Sequence, residues 1–145
     1  MQLVAKGLCL LLGGGLGALA RFGVAELFRT RTRFPGWVAM LLVNVTGSFL
    51  IGLGFGLLGE PLPELQLHPP PSGALVAGEL RGELLFALGV TGFCGGYTTF
   101  SAYSLDAVLL LQQGRWGEAF MNLFLPIVLG SLALVSGLGV AGASG

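Results

Sequence analysis

The chain has 145 residues, of which 54% are hydrophobic and only 10% charged. A soluble domain carries about 25% charged residues, so there is too little charge here to wet a globular surface. Seven basic residues against seven acidic ones leave no net charge, which excludes the basic excess that a nucleic-acid surface requires.

Four apolar stretches follow one another, each at least as long as the roughly 20 residues that cross a bilayer as a helix. The first covers about residues 7–28 and is broken only by Arg21 and Glu26; a connector with Arg29, Arg31 and Arg33 follows. The second covers about 35–58, with Asn44 as the strongly polar side chain near its middle. A loop over about 59–81 contains Pro61, Pro63 and the triplet Pro69-Pro70-Pro71, which has no N–H groups and is excluded from a helix interior. The third stretch covers about 84–111 and the fourth about 119–141, after the turn Gln112-Gln113-Gly114-Arg115. Nothing alternates as β-barrel strands do. The expectation is an all-α membrane protein, one domain over 1–145, with four transmembrane helices and both termini on one side. That side holds Lys6 and Arg81; the other holds Arg29, Arg31, Arg33 and Arg115. The positive-inside rule puts the second side in the cytoplasm, but the small excess is compatible with insertion in both orientations.

Near the N-terminus, Lys6, the apolar run from Gly7 and Ala18-Leu19-Ala20 have the outline of a secretory signal. Apolar character beyond Ala20 and three further spans favour a first transmembrane helix. Cys9 and Cys94 lie in apolar runs without metal-ligand or redox spacing and read as small buried hydrophobes. His68 stands alone in the proline loop, and no nucleophile–base pair is evident, so the chain does not read as an enzyme.

Gly13-Gly14-Gly15-Leu16-Gly17-Ala18 fits a dinucleotide pattern on paper, but that pattern needs a soluble strand–helix unit. In a membrane span Gly13 and Gly17 instead form a small-residue stripe for close helix approach. Arg21 continues the stripe and points into the protein, either as a snorkelling anchor or as a charge that draws anions. In the second span Asn44 and Ser48 share a face, with Gly47 as a small packing residue beside them. A primary amide in lipid needs partners, so Asn44 is either interhelical glue or a donor to a dehydrated anion. In the third span Gly95-Gly96 weakens a helix, and the threonines that follow can bond backbone groups freed by a break. Broken helices are a known device for ion coordination. Phe100 and Tyr103 share a face, as core packing or as ring edges offered to an anion; Ser101 and Ser104 form a hydroxyl stripe.

The blocks 13–22, 43–52 and 92–104, above all Gly95-Gly96-Tyr97-Thr98-Thr99-Phe100-Ser101, closely resemble the Fluc/CrcB fluoride channels, and the similarity covers all four spans. The resemblance implies passive, fluoride-selective export across the cell membrane, lowering cytoplasmic fluoride toxicity. It implies an antiparallel, dual-topology homodimer with two pores and a third helix broken mid-span. Asn44 matches a pore amide, Phe100 and Tyr103 the pore aromatics, Ser101 and Ser104 the hydroxyl track, and Arg21 the arginine of the first helix. The backbone carbonyls of Gly95 and Thr98 match a structural Na⁺ site at the dimer centre. Departures are Tyr103 for the usual phenylalanine, Ala102 for the usual threonine, Pro126 where a polar residue is common, and a longer proline loop. A small dual-topology multidrug exporter is the alternative, but it needs a carboxylate deep in the first helix, and Glu26 sits at a helix end. A non-conducting scaffold leaves the polar positions Asn44, Ser48, Ser101 and Ser104 without a use.

Overall fold

The computed structural model describes residues 2–58 and 77–143. In chain order these form α1 (Gln2–Arg31), α2 (Gly36–Leu58), α3 (Ala77–Leu85), a π-helical stretch π1 (Phe86–Cys94), the short α4 (Gly95–Tyr97), α5 (Phe100–Gln112) and α6 (Trp116–Ala143). The described residues are all helical or in connections. Among the described residues four helices are long and apolar enough to cross a membrane: Gln2–Arg31, Gly36–Leu58, Arg81–Gln112 and Trp116–Ala143. The protein is a multi-pass membrane protein. The first, third and fourth spans extend a few residues beyond the expected apolar stretches, while the second matches its stretch to within a residue. Of the expected proline-rich loop, 59–76 lies outside the described residues and the remainder is already helix.

Burial follows the logic of a lipid solvent. α1 buries only Gly13 and Gly17, while Leu8, Leu11, Leu12, Leu16, Leu19 and Phe22 face outward. α6 likewise buries Ala119, Asn122, Gly130, Gly137 and Ala141. Lipid tails are as apolar as leucine, so large side chains gain nothing by turning inward, and small residues let backbones approach. α1 packs on π1 and α4, α2 on α6, and α5 on α6. A Cβ on Gly13 would strike the Leu88 carbonyl, one on Gly17 the Phe93 carbonyl and Tyr97 nitrogen, and one on Gly47 the Thr98 methyl. Gly17→Val is therefore expected to lower the thermal midpoint in detergent by the equivalent of about 1–3 kcal/mol. Gly15→Val, where a Cβ meets nothing within 4 Å, should leave the midpoint unchanged. Equal melting of the two variants would remove the packing argument.

The α1–α2 and α5–α6 connections are short. α1 ends where Thr32 returns both its N–H and its hydroxyl to the Phe28 carbonyl, at 3.1 and 2.8 Å. α5 ends in a Schellman closure: Arg115 N–H to Leu110 O at 2.9 Å and Gly114 N–H to Leu111 O at 3.0 Å. Gly114 takes φ of 72° there, which only glycine adopts without strain. Polar clamps mark the two ends of the bundle. At one, Lys6 pairs with Glu83 at 2.7 Å; at the other, Glu118 receives the Trp37 indole N–H at 3.1 Å and the Arg115 guanidinium at 2.7 and 2.6 Å. Exposed pairs of this kind contribute about 0–1 kcal/mol each, so they fix the ends of the spans more than they stabilise the fold.

Candidate functional site

The third span stops at Tyr97 and restarts at Phe100. Between them Thr98 (φ −72°, ψ 156°) and Thr99 (φ −151°, ψ 124°) are extended. Two extended residues between helices free backbone groups that need partners wherever water is excluded. Side chains from three directions take them up. The Asn44 amide of α2 pairs with both backbone groups of Thr99: the Thr99 N–H donates to Asn44 Oδ1 at 3.0 Å, and Asn44 Nδ2 donates to the Thr99 carbonyl at 3.3 Å. Arg21 Nη1 of α1 donates to the Thr98 carbonyl at 3.3 Å. The Thr98 hydroxyl turns back to the Cys94 carbonyl at 2.8 Å, and the Thr99 hydroxyl caps α5 by accepting the Ala102 N–H at 3.3 Å. Sequence reasoning placed the weak point at Gly95-Gly96. The structure puts the extended residues just after it, because Thr98 and Thr99 find side-chain partners and Gly96 serves as packing surface against the Gly14 backbone.

Beside this interruption lies a cavity of about 360 Å³. α2 lines it with Asn44, Ser48 and Ile51; the interruption adds Thr98 and Thr99, α5 adds Phe100 and Tyr103, and α6 adds Pro126 and Ile127. Asn44 has a second N–H on Nδ2 beyond the one given to Thr99. The first turn of α5, with the positive end of its dipole, opens on the cavity through Phe100. The Phe100 and Tyr103 rings sit 5.7 Å apart at 47°. Phe100 is 80% exposed, whereas Tyr103 is buried and anchors its hydroxyl on the Leu123 carbonyl of α6 at 2.9 Å.

The structure thus brings together Asn44, Phe100, Tyr103 and Thr98 at one cavity. Arg21 touches the site through Thr98 without lining the cavity. Ser101 and Ser104 lie outside the lining: Ser101 is 3.3 Å from the Thr99 hydroxyl, and Ser104 returns its hydroxyl to the Phe100 carbonyl at 2.8 Å. Gly95 faces outward with open space where a Cβ would be. Gly47 seats the interruption against the Thr98 methyl and the Tyr97 ring. Sequence reasoning missed Ile51 and Ile127, which carry no polar signal, and noted Pro126 beside them as a departure from the family pattern. It also missed Asn122, which one did carry: a lone amide in an apolar span, the same signal that singled out Asn44. Among the described residues no three His, Cys, Asp or Glu side chains converge on a metal.

These features define a four-span membrane protein with a small, partly polar cavity beside an interrupted helix. The family model described as CrcB-like protein, Camphor Resistance (CrcB), matches residues 8–138. The fluoride-specific ion channel FluC of Pyrococcus abyssi is 38% identical over 115 residues, covering 79% of this chain and 78% of that protein. FluC 1 of Halalkalibacterium halodurans is 35% identical over 123 residues, 84% of this chain and 85% of its own. FluC of Salmonella arizonae is 33% identical over 130 residues, 89% and 87% of the two chains. The chain belongs to the CrcB-like family.

Proposed function

We propose that this protein is a fluoride channel of the cell membrane that lets the anion leave the cytoplasm passively. The observation that carries the reading is the cavity at the helix interruption, whose polar contacts suit an anion. These are the spare Asn44 N–H, the positive end of α5 and the edge of the Phe100 ring, with no carboxylate in the lining. A dehydrated anion loses its water donors and needs protein donors in their place, and a ring edge supplies partial positive charge. The choice of fluoride follows the relatives, which are fluoride-specific ion channels. Fluoride efflux from liposomes loaded with fluoride, with valinomycin carrying potassium as counter-ion, tests it. Rapid efflux with chloride retained is expected; protein-free rates would overturn the reading.

The functional unit in this proposal is an inverted homodimer, and the interruption lies near mid-bilayer. Phe100 at 80% exposure and the open face at Gly95 are surfaces that a second copy would cover, and four helices alone shield Arg21 and the polar stripes poorly from lipid. Gly95 and Thr98 also suit a structural Na⁺ between the copies. The Thr99 N–H, which an unbroken helix would give to the Gly95 carbonyl, goes to Asn44 instead. The Thr98 carbonyl keeps one lone pair beside Arg21. Two carbonyls from each copy supply four oxygens to a hard cation, whose charge would bridge the subunits.

A further inference from the structure

We propose that Asn122, on α6, is a positioning residue of the conduction site that holds the Tyr103 wall of the cavity in place. The inference rests on the channel reading. Asn122 is completely buried, and its Nδ2 donates to the Tyr103 backbone carbonyl at 3.1 Å. In return the Tyr103 hydroxyl donates to the Leu123 carbonyl at 2.9 Å. Two bonds of opposite sense thus join one turn of α5 to one turn of α6. Only an N–H can meet a carbonyl, so the orientation of the Asn122 amide is fixed by its partner.

Both helices present cavity wall at this height: Tyr103 from α5 and Pro126 from α6, one turn past Asn122. Pro126 has no N–H, so the Asn122 carbonyl lacks its helical donor and α6 is locally weakened. The side-chain clasp supplies the fixation that the backbone lacks there.

The other half of the amide argues against stability as its use. Asn122 Oδ1 is the buried side-chain polar atom without a partner among the described residues. An orphaned buried acceptor is destabilising, and leucine at this place removes it. What leucine cannot do is grip the Tyr103 carbonyl.

The test is Asn122→Leu, purified and reconstituted beside the parent protein. Three measurements are made: thermal midpoint, fluoride efflux and the ¹³Cζ resonance of Tyr103, assigned through Tyr97→Phe, since the chain has two tyrosines. The expected result is a midpoint equal to or above the parent's, efflux reduced about tenfold or more, as for a group needed at sub-ångström placement, and a shifted Tyr103 resonance. Parental efflux, an unmoved resonance, or an efflux loss that merely follows a lowered midpoint would each overturn the proposal. If the leucine variant does not fold, Asn122→Ser, too short to reach Tyr103, takes its place under the same criteria. A parent protein that carries no fluoride overturns the channel reading instead, and the resonance alone then decides whether Asn122 positions Tyr103.

Discussion

Replacing Phe100 by isoleucine is expected to abolish fluoride conduction while leaving yield close to that of the parent. Phe100 is 80% exposed in the single chain, so its ring contributes little to the packing of that chain. It nevertheless lines the cavity beside Tyr103, 5.7 Å between centroids. Isoleucine keeps an apolar side chain of roughly similar bulk but has no quadrupole, so the anion meets an apolar wall where the ring edge offered positive charge. A loss of at least about a hundredfold, equivalent to about 2.8 kcal/mol, should appear in electrode-monitored efflux. Tyr103→Phe is the companion measurement. It keeps the ring and removes only the bond to the Leu123 carbonyl, and it should still conduct. If Phe100→Ile conducts at the parental rate, Phe100 is packing or interface and the anion passes elsewhere.

Asn44→Asp is the second large effect, and the structure gives it two causes. The amide serves both backbone groups of Thr99, accepting at 3.0 Å and donating at 3.3 Å. A carboxylate can accept from the Thr99 N–H but cannot donate, so its second oxygen faces the Thr99 carbonyl in repulsion. It also sets a negative charge against the cavity, where like charges a few Å apart repel by several kcal/mol even at an effective dielectric of about 20. Efflux at neutral pH should collapse. As the pH falls and the carboxyl takes up a proton, its O–H can donate to the Thr99 carbonyl as the amide did, and efflux should return. Asn44→Leu, which has no proton to gain, should stay inactive at every pH. A rate indifferent to both substitutions would free Asn44 from any part in conduction; a pH response shared by Asn44→Leu would assign the titration to another group.

The four spans and the membrane setting were legible in the sequence because they depend on sums: apolar length, low charge and glycine spacing are properties of segments. Gly13 and Gly17 were legible for the same reason, since spacing alone places them on one helix face, and the structure sets that face against the backbone of residues 88–97. Asn44 was legible as a polar group that lipid would not tolerate unpartnered, but not its partner. That partner, the Thr99 peptide 55 positions along the chain, exists only once α2 lies beside an interrupted third span. The π-helical form of Phe86–Cys94 left no mark in composition, because it arises from fitting one backbone against another. Whether Ser101 and Ser104 would face the cavity likewise depended on how α5 is rotated. A helical period says which residues share a face, and only packing against α2 and α6 decides which way that face turns. Asn122 shows the same division. Its chemistry was on the page of the sequence, but its grip on Tyr103 is a contact between helices, fixed by how α5 and α6 meet.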